Sequence, residues 1–460
     1  MRIEKLRLKN FRCFEELELN FDKKLTVLVA ENGQGKSTLL DAVRISLWPY
    51  VSAFDAVSGN MSNSGIEIDD VRLSRTSSNN MEHQLPARIE TILIDGVQSI
   101  HSARQRDKTS KSSKTTVKEA KSLSEWGVNL QKKLRMTSDK DSEIDHDRAV
   151  SLPIVAYYST GRLWKQRYLT LKKQSDSDFF SRTAAYVGCL DSGSDYKYFA
   201  EWFFYLYASD FEQKTKQLEK SGFQGLIDHR FIYSDLMDAI KRPVDKILSP
   251  LGWKNISYSP SQKTLIVDHM HYGALKVDQL SDGLKSMLAM TADIAYRCAR
   301  LNPDYGKDAA LKTEGLVMID EVDMHLHPRW QQLVLSQLQE AFPKVQFIVT
   351  THSPQVLTTV ASEHIRILRN NKVYAAPPGT EGAEPERLLK QILGLEEIRP
   401  PSIQATRELK EYLSLVDRDK WSSSRALELR KLLDERYQGN EPALLEADLQ
   451  IENRKWELGE

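Results

Sequence analysis

Hydrophobic and polar residues alternate along the first part of the chain, a pattern typical of β-strands. The stretch "RIEKLRLKNFRCFEELELNF" alternates over residues 2–21, and the apolar run "LTVLV" follows at residues 25–29. These patterns predict half-buried strands followed by a fully buried strand. Further strands are predicted at residues 87–96 ("ARIETILIDG") and 152–159 ("LPIVAYYS"). The chain is therefore expected to begin with a β-rich domain.

Helical spacing dominates the middle and the end of the chain. The aromatic-rich stretches within residues 176–249 predict helices whose aromatic side chains belong to a core,. In "LKVDQLSDGLKSMLAMTADIAYRCA", residues 275–299, apolar positions recur every three or four residues, which predicts an amphipathic helix that begins at Ser281 and Gly283 and is capped by the serine,. After residue 377 the chain again shows apolar stripes at helical spacing.

Composition indicates an ordinary globular protein of two or three lobes. The chain has 460 residues, 40% of them hydrophobic, and a formal net charge of zero, so bulk charge favours neither nucleic acid nor membrane as a partner. Its three cysteines lack metal-ligand spacing, and no apolar run approaches the roughly 20 residues that cross a bilayer. The opening residues carry charge where a signal peptide would be apolar. We therefore expect a soluble, cytoplasmic protein with no membrane contact.

One segment departs from this neutral background. Residues 101–140 carry eleven Lys and Arg against four Asp and Glu and are rich in Ser and Thr. Such a run is typical of a solvated loop, although a basic patch is also a means of binding phosphate backbones. An exposed basic insertion is expected here.

A glycine-rich turn follows the buried strand. It reads "AENGQGKST", residues 30–38, and leads into a helical stretch. Glycines in such a turn let successive backbone N–H groups point into one concavity, and the helix adds its positive N-terminal end. In nucleotide-binding loops with this spacing, the residue at Lys36 reaches the β- and γ-phosphates and the residue at Ser37 binds Mg²⁺. Ala30 replaces the first glycine of the motif and would fit badly if that backbone needed a positive φ.

Two later strand ends supply residues that can make a bound triphosphate reactive. The run "LVMIDE" ends in Asp320 and Glu321, of which the first can hold the Mg²⁺ shell and the second can polarise the attacking water. The run "FIVTTH" predicts a buried strand over residues 347–349, whose end is expected to expose two threonines and His352. A histidine at this point can contact the γ-phosphate and sense its loss.

The order of these motifs is more specific than any one of them. The phosphate loop is followed by "LSDG" at residues 280–283, then by "MIDE" and "TTH". This set, with the opening "KLRLKNFRCFEELELNF", resembles the ABC-type ATPase heads of the SMC, RecF and OLD-like group, in which LSxG is the signature motif. The resemblance covers most of residues 1–370. It implies an α/β fold, an ABC-type P-loop ATPase head with a mixed β-sheet around the P-loop helix, a helical lobe and a helical C-terminal extension.

In that group two heads close on two nucleotides, and the phosphate loop of one head faces the signature helix of the other. The resemblance therefore implies ATP and Mg²⁺ as ligands and a homodimer of heads, or a higher oligomer. It also implies that Glu321 and His352 are catalytic and that Ser37 and Asp320 bind Mg²⁺. The implied nucleotide contacts are Arg12, Asn32, Gly33, Gly35, Lys36, Ser37 and Thr38, completed by Ser281 and Gly283 of the partner head.

Four parts are expected along the chain. Residues 1–160 form an ATPase lobe with the phosphate loop and the basic insertion, 161–275 a helical lobe with a hairpin, 276–376 the signature, Walker B and switch-histidine part, and 377–460 a helical region. The last part is either a cap on the head or a docking surface for a partner. With its compactness, its basic insertion, the stretch "LPIVAYYSTGRLW" at residues 152–164 and the tail that begins "QILGLEEIRPPS" at residue 391, the chain resembles the ATPase subunits of bacterial two-gene anti-phage systems of the Septu type. That resemblance implies an HNH nuclease subunit as partner, with nucleic acid reached through the complex.

Two questions stay open at this level. A RecF-like DNA-repair ATPase that binds DNA directly on the basic insertion is the alternative function, whereas "DEVDMHLHP" and "NFRCF" argue against the motor of a membrane transporter. In such heads a glutamine usually follows a core strand. Here either Gln98 is that glutamine or residues 158–162 occupy the comparable space.

Two groups of histidines have the alternate spacing of metal ligands. Asp323, His325 and His327 form the first group, and His269 and His271 the second,. The resemblance places the first group on a dimer-facing loop, and the second falls at the end of a predicted hairpin strand, where alternate residues share a face. Neither group is therefore expected to bind a metal.

Overall fold

The computed structural model of the protein describes residues 1–58, 64–76, 80–110, 113–138, 150–161, 181–191, 196–228 and 231–458. They form two units, Met1–Leu388 and Leu389–Glu460. Within the described part of the chain, no helix has both the length and the apolar character that crossing a membrane requires.

The regular elements follow one another along both units. The strands are β1 (Arg2–Phe11), β2 (Phe14–Asn20), β3 (Leu25–Ala30), β4 (Leu73–Arg75), β5 (Met81–His83), β6 (Ala87–Asp95), β7 (Gln98–Arg106), β8 (Ile154–Tyr158), β9 (Trp253–Ser259), β10 (Thr264–His269), β11 (Gly273–Lys276), β12 (Gly315–Ile319), β13 (Val345–Thr351), β14 (Ile365–Arg369) and β15 (Lys372–Ala375). The helices are α1 (Lys36–Val51), α2 (Asp55–Ser58), α3 (Lys121–Ser138), α4 (Tyr196–Asp228), α5 (Ile232–Leu248), α6 (Asp282–Leu301), α7 (Ala309–Lys312), α8 (Pro328–Gln331), α9 (Val334–Ala341), α10 (Pro354–Leu357), α11 (Pro385–Gln391), α12 (Gln404–Asp417), α13 (Ser424–Tyr437) and α14 (Pro442–Leu458).

A mixed sheet forms the centre of the first unit, with strands in the order β15, β14, β3, β13, β12, β8. Every neighbouring pair is parallel except the antiparallel edge pair β14 and β15. The strands β3, β8, β12 and β13 are buried along their whole length, as parallel strands covered on both faces must be. Because parallel strands end at the same edge of a sheet, the residues that follow these four strands are brought together.

This sheet confirms the predicted fold class. β3 leads directly into α1, the phosphate-loop helix, and β12 and β13 carry the two later motifs. The strands predicted at residues 87–96 and 152–159 are present as β6 and β8. β13 is longer than predicted, because Thr350 and Thr351 belong to the strand and are fully buried rather than exposed at its end.

A second, antiparallel sheet has the order β2, β1, β6, β7. The predicted alternation of β1 is present in its burial, since Ile3, Leu6 and Leu8 are buried while Glu4 and Arg7 are exposed. The outer strand β7 runs through residues 98–106 and so enters the segment expected to be a basic loop.

The expectation of a solvated loop at residues 101–140 is wrong for most of its described part. The first residues belong to β7, and residues 121–138 form α3, which packs on α1 through a ring stack of Trp126 on Tyr50. Arg104 and Arg106 are buried, and their guanidinium groups donate to the backbone carbonyls of Ile45 and Ile66 respectively. The other described Lys and Arg of the segment remain at least partly exposed.

Two long helices, α4 and α5, belong to the first unit. The helices predicted within residues 176–249 are α4 and α5, and residues 176–180 lie outside the described part of the chain. Aromatic side chains of α4 such as Phe199 and Phe203 are buried, as predicted, whereas Phe204 and Phe211 are exposed. The small sheet of β9, β10 and β11 packs beside α5, and α5 packs on α6.

The second unit is a bundle of three helices with its own core. Its buried residues come from α12, α13 and α14 and include Leu409, Tyr412, Leu429, Leu433 and Leu444. These positions confirm the helical spacing of apolar residues predicted after residue 377, although one apolar residue of α13, Leu432, is 40% exposed.

Candidate nucleotide-binding site

The phosphate loop lies between β3 and α1. Ala30 ends the strand in extended conformation, so this replacement of the first motif glycine needs no positive φ. Gly35 precedes α1 with φ 92°, and a Cβ there would lie 2.5 Å from the ring of Phe14. A side chain at Gly35 is therefore excluded both by the left-handed backbone and by its neighbour. Asn32 and Gly33 are exposed at the turn, and Thr38 is half-buried in the first turn of α1.

Lys36 is held against the loop that it follows. Its ammonium group donates to the carbonyl oxygen of Ala30 at 2.9 Å and to that of Glu31 at 3.3 Å, and the side chain is buried. Burial lowers the pKa of Lys36, although the carboxylates of Asp320 and Glu321 act in the opposite direction. Lys36 thus lies within electrostatic range of the acidic residues that follow β12.

Asp320 follows β12 and is fixed by two hydroxyl groups. Its Oδ2 accepts a hydrogen bond from Ser37 Oγ at 2.7 Å, and its Oδ1 accepts one from Thr350 Oγ1 at 2.6 Å. The carboxylate is buried, and its backbone N–H donates to the carbonyl oxygen of Tyr158 at the end of β8. Three neighbouring strands and the phosphate-loop helix therefore fix its position.

Ser37 and Asp320 are suited to share a magnesium ion. A hydroxyl and a carboxylate oxygen at hydrogen-bond distance are hard oxygen donors, and Mg²⁺ is commonly held by one or two protein oxygens together with substrate phosphates,. Within the described residues, no group of three or more His, Cys, Asp or Glu is arranged to hold a metal by itself. The donor set fits a metal that arrives with a phosphate ligand.

Glu321 adopts an unusual backbone conformation. Its φ is 48°, in the left-handed region that non-glycine residues seldom occupy,. Two bonds hold this turn: the N–H of Glu321 donates to Thr350 Oγ1 at 2.7 Å, and the N–H of Val322 donates to the carbonyl oxygen of Thr350 at 2.9 Å. Thr350 therefore orients both acidic residues, a role that the sequence analysis missed. The signal for it was the pair of threonines before His352.

His352 completes the set at the end of β13. It is partly buried, and its pKa is lowered first by burial and then by the positive charge of Lys36, against the opposing effect of Glu321, Asp323 and Asp320. The ring is therefore neutral at pH 7. The structure thus brings together Lys36, Ser37, Asp320, Glu321 and His352, which were predicted from three separate motifs.

Arg12 lies beside α1 rather than free at the site. Its guanidinium donates to Asp41 at 2.7 Å and to Asp70 at 2.8 Å. Burial alone would lower the pKa of Arg12, but these two carboxylates raise it above its usual value. Arg12 is held at the side of the phosphate-loop helix in this arrangement.

The signature residues lie at the start of α6. Ser281 occupies the N-cap position and is exposed, but its side chain makes no capping hydrogen bond, so the expected serine cap is not formed. Gly283 packs under the loop that follows Glu321: a Cβ at this position would lie 2.3 Å from the carbonyl oxygen of His325. Among the residues that the structure describes, no hydrogen bond joins Ser281 to the phosphate loop of the same chain.

The two candidates for the position of the glutamine that usually follows a core strand in such heads lie in different sheets. Gln98 begins β7 of the antiparallel sheet, and Tyr158 ends β8 of the central sheet. Strand β1 pairs Arg2 with Ile94, which places Gln98 near the start of β1, whereas Arg12 beyond its end contacts α1. Gln98 is therefore remote from the phosphate loop. Tyr158 ends β8 beside Asp320, and Arg162 lies outside the described residues.

Several residues of the two discounted histidine groups have structural partners. Asp323 accepts a hydrogen bond from Thr351, and Nδ1 of His327 accepts one from the N–H of Arg329 at the start of α8. His269 stacks on Tyr272 with ring centroids 4.5 Å apart, and Nδ1 of the same ring accepts the N–H of His271 at 3.1 Å.

Comparison with known proteins gives consistent matches. Residues 5–239 match the family described as AAA domain. A "Retron Ec83 probable ATPase" of Escherichia coli is 29% identical over 99% of this chain and 88% of that protein. A "Septu protein PtuA" of Bacillus mycoides is 37% identical over 27% of this chain and 18% of that protein. The "SMC head domain from Thermotoga maritima" has a TM-score of 0.42 at 16% identity, covering 82% of this chain and 100% of that chain. The family and the relatives confirm the predicted resemblance to SMC- and RecF-like ABC ATPases related to the Septu ATPase.

Proposed function

Because this chain is an ATPase that belongs to the AAA domain family, we propose that it binds Mg²⁺ and ATP at the phosphate loop and hydrolyses ATP between two paired chains. The observation that carries this proposal is the convergence of Lys36, Ser37, Asp320, Glu321 and His352 at the ends of adjacent parallel strands. These residues come from three separate motifs of the sequence. Their types match the needs of phosphoryl transfer, which depends on positioning and charge stabilisation.

Each residue has a role that its surroundings support. Lys36 binds the β- and γ-phosphates in exchange for the carbonyls of Ala30 and Glu31, while Ser37 and Asp320 hold Mg²⁺,. Bound there by Ser37 and Asp320, the metal would supply positive charge that stabilises phosphoryl transfer,. Glu321 orients and polarises the attacking water, and the neutral ring of His352 hydrogen-bonds to the γ-phosphate.

Pairing of two chains completes each site. Ser281 is exposed, and the positive N-terminal end of α6 suits an anion,. We assign Ser281 and Gly283 to the γ-phosphate bound by the other chain, in a self-complementary two-fold interface. Arg12 remains a proposed nucleotide contact, which requires it to leave Asp41 or Asp70.

The relatives support a role in bacterial defence against phage. One is named as a retron ATPase and another as a Septu protein. We propose that nucleotide-dependent pairing of the heads regulates an HNH nuclease subunit, so that nucleic acid is cleaved by the partner rather than by this chain. We also assign the chain to the cytoplasm, where its three cysteines would remain unpaired as they are here,.

The partner is proposed to dock on residues 377–460. The last helix of this region, α14, exposes Leu445, Leu449 and Trp456, with exposed fractions of 55%, 62% and 85%. At 100° per residue these three side chains fall in one narrow stripe, opposite the buried Leu444 and Ala447,. Such a stripe suits an amphipathic partner segment.

Co-expression with the product of the neighbouring gene tests this function. The expected result is a stable complex with a nuclease, whose mass or activity changes when ATP is added. A chain that purifies alone and instead binds duplex DNA tightly, with affinity falling steeply as salt rises, would favour the RecF-like alternative.

A further inference from the structure

A buried polar network joins α6 to the strand that supports Asp320. It consists of Tyr158, Asp293 and Arg297, whose exposed fractions are 1%, 1% and 3%. The hydroxyl of Tyr158 donates to Asp293 Oδ2 at 2.7 Å, and Nε of Arg297 donates to the same oxygen at 2.8 Å. Buried charges are costly unless they are paired and hydrogen-bonded, so this network restricts how α6 can sit.

The two ends of the network are anchored differently. Tyr158 is the last residue of β8, and its carbonyl oxygen accepts the N–H of Asp320 at 2.8 Å. Arg297 donates to the carbonyls of Ala185 and Val187. One tyrosine therefore contacts the Mg²⁺-binding residue through its backbone and α6 through its side chain.

The protonation states suit a fixed arrangement. Burial, followed by the charge of Asp293, raises the pKa of Tyr158, so the phenol keeps its proton and remains a donor. Burial alone would lower the pKa of Arg297, but Asp293 raises it above its usual value, so the guanidinium stays charged. Asp293 Oδ1 has no hydrogen-bond partner among the described residues, so Tyr158 and Arg297 share the other oxygen.

Another anchor secures α6 independently. Asn302, directly after α6, donates to the carbonyl of Leu152 at 2.9 Å and accepts the Leu152 N–H at 2.8 Å, just before β8 begins. The C-terminal end of α6 is thus tied to the start of β8, and its middle is tied to the end of β8 by Tyr158. Loss of the Tyr158 hydroxyl should let the angle of α6 relative to β8 vary, while Asn302 still holds the C-terminal end of the helix.

We infer that Tyr158, through Asp293, is a positioning residue that sets α6 relative to the Mg²⁺ site of the same chain. This inference rests on the proposed function, in which the N-terminus of α6 binds the nucleotide of the other chain. Asp320 and Ser281 of one chain would then contact two different nucleotides. Tyr158 links the two elements that carry these residues. Binding of Mg²⁺ and ATP to a single chain uses residues that Tyr158 does not touch with its side chain, so only pairing should depend on its hydroxyl.

The test is Tyr158→Phe in the full chain carrying Glu321→Gln, which keeps ATP from being hydrolysed. The chain concentration at half-maximal ATP-dependent pairing is expected to rise about tenfold, because a hydrogen bond to a charged group is lost. The ATP affinity of unpaired chains is expected to change by less than about twofold. Pairing is read from mass, and affinity from a fluorescent ATP analogue at low chain concentration.

Tyr186→Phe is the matched control. Tyr186 is as buried as Tyr158. Its hydroxyl donates to the carbonyl of Pro153 at 2.6 Å, just before β8 begins, and lies 2.9 Å from the hydroxyl of Tyr50. Normal pairing of Tyr158→Phe, or an equal loss in both variants, would overturn the inference. If the Glu321→Gln parent itself fails to pair with ATP, the proposed head pairing is refuted, and this inference falls with it.

Discussion

Glu321 combines a left-handed backbone conformation with a position next to Asp320, the proposed Mg²⁺ ligand. Replacing Glu321 with Gln keeps its size and its backbone bond to Thr350, so folding should be unchanged. Hydrolysis should fall by about 10²- to 10⁴-fold, the usual contribution of a positioned base, while ATP remains bound and the closed pair is stabilised. Phosphate release and ATP binding measure the two effects.

Glu363→Gln provides the control for this substitution, since Glu363 is exposed in the turn before β14. Hydrolysis at the normal rate in Glu321→Gln would remove Glu321 from the mechanism.

The titration of His352 tests whether Lys36 lies close to it in solution. The pKa of His352 is expected below the ordinary value of about 6.5,. Lys36→Met removes a positive charge that disfavours imidazolium, so the pKa of His352 should rise, whereas Lys24→Met at the opposite end of β3 should leave it unchanged. NMR titration of the ring, assigned with His352→Gln, measures this. An equal response to both substitutions would contradict the site geometry.

At the scale of single residues, the sequence was informative where a motif fixes both type and spacing. Lys36, Ser37, Asp320, Glu321 and His352 were all predicted, and they lie together. Thr350 was not assigned a role, because its importance comes from bonds to residues about thirty positions away. Such contacts depend on which strands become neighbours, which one local pattern does not specify.

At the scale of elements, two residues at the start of α6 are expected to have different roles: Ser281 in pairing and Gly283 in folding. Ser281 is exposed and its side chain makes no capping hydrogen bond at the start of α6, so Ser281→Ala should change the free energy of unfolding by less than about 0.5 kcal/mol. Gly283→Ala should destabilise the chain by about 1 to 3 kcal/mol, because its Cβ would overlap the carbonyl oxygen of His325,.

Urea unfolding measures both variants, and ATP-dependent pairing is then measured for Ser281→Ala alone. Pairing should be lost in Ser281→Ala although its stability is unchanged. Normal pairing would show that the partner's nucleotide is not contacted by this serine.

The elements with strong periodicity were predicted well, and the basic segment was not. Buried parallel strands such as β12 and β13 are continuous apolar runs, and α6 has a regular apolar face. Arg104 looks exposed in the sequence, yet it is buried because the backbone carbonyls of Ile45 and Ser64 accept its N–H groups. Charge composition alone therefore gave the wrong prediction for a strand whose two buried arginines donate to backbone carbonyls distant in the sequence.

At the scale of the whole molecule, the exposed stripe of α14 is the proposed contact for the nuclease. Leu449→Glu should abolish co-purification of the partner while leaving ATP hydrolysis by the isolated chain unchanged, because Leu449 is outside the buried core of its unit. Gln450→Glu adds the same charge beside the stripe and should retain the partner. Retention of the partner by both variants would move the docking surface elsewhere.

The sequence patterns were least informative about where the chain divides into units and about how two copies of the chain pair. The chain divides between Leu388 and Leu389, within α11, rather than in the preceding proline- and glycine-containing stretch of residues 377–385. The pairing of heads is likewise an expectation carried by resemblance, since the residues of a self-complementary surface have no periodic signature. A direct measurement between copies is therefore needed.

That measurement is a cross-link between two differently substituted chains. One preparation carries Glu31→Cys, in the exposed phosphate loop, and the other carries Ser281→Cys. Both also carry Glu321→Gln, and Cys13→Ser to remove the one native thiol that is not buried. With a short bifunctional thiol reagent, the account predicts a species of twice 52.7 kDa that forms only in the mixture and only with ATP. No such species in the presence of ATP, or equal amounts without it, would contradict the claim that two copies enclose each nucleotide.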